Sequence, residues 1–177
     1  MRYVALSRCE ESVPAHLPKD ILVHECRACI ACLGVPADEV DILDFRVRYF
    51  PRDRQQILET FVQLNREYRP DLVILPTSYD THQDHATVYQ EGFRAFKHST
   101  VLGYELPQNI TSFNNSAFVE LTVAHVEKKI EGLAHYQSQA FRSYSAGEFI
   151  RGLAKVRGVQ CNAEYAEAYE VVRLILR

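Results

Sequence analysis

A short apolar segment followed by a dense polar loop constrains this chain more than any other feature. Residues 72–75 form an apolar run between Pro70 and Pro76, which is typical of a buried parallel strand. Four polar side chains then follow within six positions: Asp80, His82, Asp84 and His85. Open α/β sheets place their sites at the carboxyl ends of strands. The sequence therefore predicts a functional site in the loop after this strand.

The rest of the chain alternates between strand patterns and helix patterns. The strands are predicted at 3–6, 41–45, 72–75, 100–104, 117–121 and 169–176. The helices are predicted at 19–33, 52–68, 84–97, 122–138 and 147–156. This alternation favours an α/β fold, a Rossmann-like three-layer α/β/α sandwich with a mostly parallel sheet. With 177 residues, a single domain is the simplest expectation.

Composition argues against several classes of partner. The net charge of -3 speaks against a nucleic-acid or anionic-membrane surface. No apolar run approaches the roughly 18 residues of a membrane-spanning helix. The five cysteines fit a reducing cytoplasm better than a disulfide scaffold. A cytoplasmic protein that binds neither nucleic acid nor membrane is expected.

Three of the cysteines, Cys26, Cys29 and Cys32, have a spacing that allows two interpretations. Thiolates two residues apart can bind an iron–sulfur centre. The same positions fall on one predicted helix, where free cysteines behave as small buried apolar residues. The helical periodicity and the lack of a fourth cysteine three positions later favour a structural role in the core.

The polar loop combines imidazoles with carboxylates, the ligand set that zinc accepts. We expect His85 to bind a metal, Asp84 to orient an imidazole, and His82 to donate a proton or stabilise an oxyanion. The alternative is a polar loop in which Asp84 caps the helix that follows. A catalytic zinc site needs about three protein ligands, more than this loop supplies.

Further candidates for the substrate side are spread over the chain. Arg48 and Arg54 belong to a basic, aromatic stretch that would clamp an anionic group such as a sugar-linked phosphate. The alternative for both is a solvated loop and the first turn of a helix. Asp80 and Asn114 are predicted to line a sugar site.

Several blocks of the sequence, in order, resemble the PIG-L/LmbE family of zinc-dependent N-deacetylases. They are Leu33–Val35, Arg69–Pro76, Asp80–His85, Lys129–Gln139 and Arg157–Gly158 with Tyr165–Tyr169. The resemblance implies that His85 is a zinc ligand, that His82 is the acid or the group that stabilises the transition state, and that Asp84 supports the histidines. It further implies hydrolysis of an acetamide on an N-acetylated sugar.

One segment of that family has no counterpart in this sequence. In the family, the first strand ends in a His-Pro/Thr-Asp-Asp segment with two zinc ligands and the carboxylate that activates water. We therefore expect this chain to lack that strand and segment, with Cys9, Glu10 and Glu11 as the only candidate substitutes. The favoured alternative is that Glu10 and Glu11 are solvated loop residues. An exposed strand edge would then favour self-association into a homo-oligomer.

Two functions from different classes remain open. The first is a zinc-dependent deacetylase, with another divalent metal possible and the metal absent if the ligand set is incomplete. The second is a metal-free carbohydrate-binding or interaction module on the same fold. An iron–sulfur or redox role for the cysteine helix is a third, weaker interpretation.

Overall fold

The computed structural model describes residues 1–176, in which strands and helices alternate as far as the fourth strand and a further strand, two helices and a last strand follow. The strands are β1 (Tyr3–Ala5), β2 (Val40–Ile42), β3 (Leu72–Pro76), β4 (Thr100–Tyr104), β5 (Ala117–Leu121) and β6 (Tyr165–Arg173). The helices are α1 (Ile21–Cys32), α2 (Phe50–Tyr68), α3 (Gln83–Ala95), α4 (Val123–Ala134) and α5 (Gly147–Gln160). The predicted α/β fold class is confirmed.

The chain divides into two compact units, each built from two stretches of sequence. The first unit comprises Met1–Val47 and Glu120–Glu167, and the second comprises Arg48–Val119 and the chain from Ala168 onwards. The single domain expected from length stays a prediction.

In the first unit, strands β1 and β2 pair in parallel, with Tyr3 opposite Val40. Helix α1 packs against α4, and α4 packs against α5. One apolar cluster contains Cys26, Ile30, Val35 and Val40. A second contains Val126, Ile150 and Ala154. Because Cys26 and Cys29 are both buried, the structure places them in the core, as the helical periodicity predicts.

In the second unit, β3 and β4 pair in parallel, with Leu72 opposite Thr100. Strand β4 also pairs with β6, but in the antiparallel direction. The four-stranded sheet has the order β3-β4-β6-β5. The parallel pairs follow from the strand–helix alternation, whereas the direction of β6 depends on how the chain returns to the sheet.

Helices α2 and α3 pack against each other beside this sheet. Pro51 in the first turn of α2 has the φ angle that a helix start requires, and Arg69 ends the helix in the left-handed region. The residues of α2 and α3 that face inward include Ile57, Phe61 and Val88, all buried. Among the described residues, no helix is long and apolar enough to cross a membrane.

Candidate active site

The predicted polar loop connects the carboxyl end of β3 to the start of α3. We call residues 77–85 the histidine loop. Thr77 extends the pairing of β3, because its N–H donates to the carbonyl of Tyr104 at 3.0 Å. Helix α3 begins at Gln83, directly after His82, which acts as its N-cap. The loop is therefore fixed at one end by the sheet and at the other by a helix.

Asp80 is the central acceptor of the loop, and its side chain is only 1% exposed. Its Oδ1 accepts from the backbone N–H of His82 at 2.8 Å, which closes a local turn. Its Oδ2 lies 2.8 Å from Nδ1 of His85. Asp80 thus shapes the backbone and orients an imidazole at the same time.

The two imidazoles have hydrogen-bond partners of opposite kinds. Nδ1 of His82 accepts from the backbone N–H of Asp84 at 3.2 Å, so a neutral His82 carries its proton on Nε2. Nδ1 of His85 faces a carboxylate and must donate to it, so a neutral His85 has a free lone pair on Nε2. We assign both tautomers from these partners. The loop therefore presents one imidazole donor and one imidazole acceptor.

The two rings also lie against each other. Their centroids are 4.6 Å apart and their planes differ by 29°. His85 is 30% exposed at its side chain, so solvent and small molecules reach it. A hydrogen-bond donor and a nitrogen lone pair therefore lie side by side in this loop.

Asn109 supports the loop from the segment between β4 and β5. Its carbonyl accepts from the N–H of Thr81 at 2.9 Å and from the hydroxyl of Thr81 at 2.7 Å. Its side-chain amide lies 3.4 Å from Nδ1 of His85, longer than the contact of that nitrogen with Asp80. Strands β3 and β4 are parallel neighbours, so the loops after them meet at the same edge of the sheet.

The carboxylate of Asp84 contacts backbone groups in this structure, and the orienting role predicted for it stays a prediction. Its carboxylate accepts from the backbone N–H groups of Arg48 at 2.5 Å and Phe50 at 3.2 Å. It does not cap α3, since His82 does so. Asp84 is 3% exposed and holds the segment that leads into α2. The carboxylate beside an imidazole is Asp80.

Asp80, predicted to contact substrate, is buried and contacts His82 and His85; its contact with substrate stays a prediction. Arg54 is also engaged within the protein, because its guanidinium donates to the fully buried Glu91. Glu91 accepts from Arg94 as well, so the carboxylate joins α2 to α3. Arg54 therefore joins the two helices through Glu91, and its contact with substrate stays a prediction.

Arg48 and Asn114, the other two substrate candidates, are both exposed. Arg48 has a φ of 72°, held by its N–H to Asp84 and by its carbonyl, which accepts from Gln83 at 2.5 Å. The segment around Arg48 therefore contacts the histidine loop, while Asn114 lies further along the loop that contains Asn109. Their contact with substrate stays a prediction.

Burial raises the pKa of Tyr104 to about 12, and the nearby Asp80 carboxylate adds to the effect. Tyr104 ends β4 and its phenol stays neutral over the physiological range. A neutral phenol keeps a second negative charge away from the Asp80–His85 pair.

The residues of the histidine loop fit a metal in part. His85 is arranged as metal-binding histidines usually are, because its Nδ1 contacts a carboxylate and its Nε2 carries a lone pair. Across residues 1–176, however, no group of three or more His, Cys, Asp or Glu side chains is arranged to hold an ion. A zinc site needs about three such ligands, so this structure supplies one imidazole and not a complete set.

The proposed substitutes Cys9, Glu10 and Glu11 lie in the first unit, directly after β1. Cys9 has a φ of 54°. Glu10 lies 3.9 Å from Arg8 and Glu11 lies 2.8 Å from Arg46 in ion pairs. A cavity of about 190 Å³ is lined by this segment and by residues 44–46. The ion pairs favour the interpretation of both glutamates as loop residues paired near the surface.

The sequence did not predict two residues that support the histidine loop. One is Asn109, and the other is Glu170, which contacts Thr77 and Ser78. The position of Asn109 after β4 could have indicated its role, because the loops that follow parallel neighbouring strands lie at the same edge of the sheet. Glu170 accepts hydrogen bonds from Thr77 and Ser78, which are more than 90 positions away. No local pattern marks that contact.

Comparisons with known proteins were made by sequence family and by structure. The profile of the PIG-L family, described as GlcNAc-PI de-N-acetylase, matches residues 6–96. No curated protein matches the sequence.

Three solved structures illustrate the likeness in fold, each at 19% sequence identity. The conserved protein TT1542 from Thermus thermophilus has a TM-score of 0.75, covering 98% of this chain and 82% of its own. GalB, the 4-carboxy-2-hydroxymuconate hydratase from Pseudomonas putida, has a TM-score of 0.74, covering 100% and 85%. The N,N′-diacetylchitobiose deacetylase from Pyrococcus horikoshii has a TM-score of 0.72, covering 95% and 71%.

The family match extends from the loop after β1 through β3 and the histidine loop to the end of α3, which is just over half of the chain. This protein therefore belongs to the PIG-L family of GlcNAc-PI de-N-acetylases.

Proposed function

We propose that this protein is a deacetylase-type hydrolase that removes an acetyl group from an N-acetylated sugar. The observation that carries the proposal is the pair of imidazoles, His82 as donor and His85 as acceptor, on a loop within the family match. Structures of similar fold include the chitobiose deacetylase and a teicoplanin deacetylase. These similarities support the reaction class, and the sugar is our extension of it.

Amide hydrolysis needs a group that stabilises the negative charge developing on the carbonyl oxygen. The Nε2–H of His82 is suited to this task, because its Nδ1 is already occupied by the N–H of Asp84. Asp80 holds His85 in one tautomer and one orientation. The histidine loop thereby supplies a positioned donor and a positioned acceptor.

A divalent metal, zinc in the first instance, is part of the proposal. His85 would bind it through Nε2, with Asp80 behind the imidazole. A bound metal supplies a Lewis acid and a nucleophilic water at neutral pH.

The substrate is proposed to be a small N-acetylated sugar or sugar conjugate, with Arg48 and Asn114 as its contacts. The proposed compartment is the cytoplasm, since the use of five cysteines fits a reducing environment better than a disulfide scaffold. No nucleic-acid partner is proposed, given the net charge of -3.

The test is acetate release from N-acetylglucosamine conjugates and N,N′-diacetylchitobiose, combined with elemental analysis of the purified protein. The variants are His82→Gln and His85→Gln. The control is His16→Gln, because His16 is an exposed histidine of the first unit and is not part of the histidine loop. We expect His82→Gln to lower kcat by about 100-fold or more, the usual cost of losing a donor that stabilises the oxyanion. We expect His85→Gln to lower both activity and metal content, and His16→Gln to change neither.

Two outcomes would contradict the proposal. Binding of the sugars without acetate release, in metal-loaded protein, would favour the carbohydrate-binding alternative. Hydration of a conjugated 2-hydroxy acid without acetate release would favour a hydratase, which the likeness to GalB over the full length of the chain makes the second candidate. Both reactions use water and an acid–base pair, so the product decides between them.

A further inference from the structure

Glu170 on β6 is a buried carboxylate for which the proposed chemistry has no use. It is 8% exposed and follows Ala166 and Ala168, which are 0% and 3% exposed, in the inward-facing alternation of the strand. That position ordinarily takes an apolar residue, because a buried charge is costly unless hydrogen bonds compensate it. The contacts of Glu170 therefore require an explanation.

Within residues 1–176, the Glu170 carboxylate accepts three hydrogen bonds, all from the first two residues of the histidine loop. Oε2 accepts from the hydroxyl of Thr77 at 2.6 Å and from the N–H of Ser78 at 2.8 Å. Oε1 accepts from the hydroxyl of Ser78 at 2.6 Å. Bonds to an ionised acceptor are about twice as strong as neutral ones. The carboxylate thus fixes both the backbone and the side chains of this turn.

The turn is connected directly to the imidazoles. The carbonyl of Thr77 accepts from the N–H of Asp80 at 3.2 Å. Asp80 in turn holds the backbone of His82 and the imidazole of His85. An uninterrupted series of hydrogen bonds therefore runs from Glu170 to both histidines.

Gly103 on β4 lies opposite Glu170 in the register and leaves space for this contact. A Cβ atom at residue 103 would lie 2.9 Å from Oε2 of Glu170 and 2.9 Å from Cα of Thr77. Both distances are well inside van der Waals contact. The glycine is needed here because the carboxylate and the turn approach the strand so closely.

We propose that Glu170 is a positioning residue, which fixes the Thr77–Ser78 turn and through it the placement of His82 and His85. Its expected effect on kcat rests on the proposed hydrolase function. Its effect on the two imidazoles does not.

The experiment compares Glu170→Gln with wild type in the full-length chain, using two measurements. The first is the ¹⁵N spectrum of the imidazoles, with signals assigned through His82→Gln and His85→Gln. The second is the kinetics of acetate release. We expect Glu170→Gln to shift the signals of both histidines. We expect kcat to fall by about 10- to 100-fold, as for a displaced catalytic group, with KM changed by less than about twofold.

The matched control is Glu25→Gln. Glu25 is 6% exposed and accepts from the N–H of Ser138 at 2.8 Å and from its hydroxyl at 2.6 Å. It repeats the arrangement of Glu170 and Ser78 in the first unit. We expect it to lower the melting temperature while the imidazole signals and kcat stay as in wild type.

Gly103→Ala is a second variant that disturbs the contact from the opposite strand, and we expect it to shift the same imidazole signals. Unchanged signals in folded Glu170→Gln and Gly103→Ala would overturn the inference. So would equal shifts in Glu25→Gln. If wild type releases no acetate, the proposed function fails, and the imidazole spectra still decide whether Glu170 positions the loop.

Discussion

At the scale of single residues, Asp80 does most to define the candidate site. One oxygen closes the turn at His82 and the other faces Nδ1 of His85, each at 2.8 Å. Because a carboxylate accepts at both oxygens, it fixes His85 with its proton on Nδ1. An amide at the same position would accept at one atom and donate at the other. The site therefore requires a carboxylate at residue 80, and an amide of the same shape would not replace it.

Asp80→Asn is expected to lower kcat/KM by about 10- to 100-fold, the usual cost of losing a carboxylate that orients a histidine. The amide of the variant would face Nδ1 of His85 with a donor and favour the opposite tautomer. Imidazole ¹⁵N spectra and acetate release measure the two effects. Asp20→Asn is the control, since Asp20 pairs with His24 at 3.2 Å on the exposed surface. Wild-type activity and tautomer in Asp80→Asn would contradict the assignment.

A second residue-scale prediction concerns Cys29, whose thiol pKa rises from 9.0 to about 11. Burial is the main cause, and the neighbouring Cys26 and Cys32 add to it. The thiolate is the reactive form, so a raised pKa keeps Cys29 protonated and unreactive at about pH 8. Alkylation with iodoacetamide and peptide mapping should modify the partly exposed Cys9 and Cys161 first in the native protein. Modification of Cys29 at the rate of Cys161 would contradict this prediction.

At the scale of elements, helix α5 contains two glycines in opposite environments. A Cβ at Gly158 would lie 2.7 Å from the carbonyl oxygen of Glu164 and 2.8 Å from that of Ala163. A Cβ at Gly152 would have no neighbour within 4 Å. Backbone atoms cannot move aside as a flexible side chain can. The first glycine therefore lets the turn before β6 pack on the helix, and the second only weakens the helix.

Substitution by alanine should separate the two glycines. Gly152→Ala is expected to stabilise the protein by about 0.5–1 kcal/mol, the ordinary difference between glycine and alanine in a helix. Gly158→Ala is expected to destabilise it by about 1–3 kcal/mol through overpacking. Urea unfolding, with the slope checked for each variant, gives both values. Equal stability of the two variants would show that the turn at residues 163–164 does not restrict the side chain at residue 158.

At the scale of the whole molecule, β3 carries apolar side chains that remain accessible. Leu72 is 50% exposed and Ile74 is 48% exposed, and β3 is at one end of the order of the four-stranded sheet. Exposed apolar residues on a strand at a sheet edge favour pairing with another chain. These exposures give the expected homo-oligomer a specific location.

Size-exclusion chromatography with light scattering is expected to show self-association of the wild-type protein. Ile74→Lys should reduce it, because a charge on the strand opposes edge pairing. Val123→Lys is the control, since Val123 is 50% exposed but lies on helix α4. A stable monomer at all concentrations would contradict the prediction.

The periodicity of the sequence determined most of the secondary structure. Strands β4 and β5 begin and end where the pattern predicts, and the helices differ from prediction mainly at their ends. The position of the site after β3 also followed from sequence, because an apolar run and the polar loop behind it are contiguous. Contacts between residues close in sequence, such as Asp80 with His82, can be predicted from the local residue pattern.

Only the tertiary structure decided which carboxylate contacts the imidazole of His85. Asp80 and Asp84 are both within five positions of His85, so sequence distance does not separate them. In the structure Asp80 contacts His85, whereas Asp84, in the first turn of α3, contacts Arg48 and Phe50. Glu170 reaches Ser78 across 92 positions because β6 returns antiparallel to β4. Such contacts depend on strand order and direction, which arise from packing the whole chain and leave no mark on local sequence.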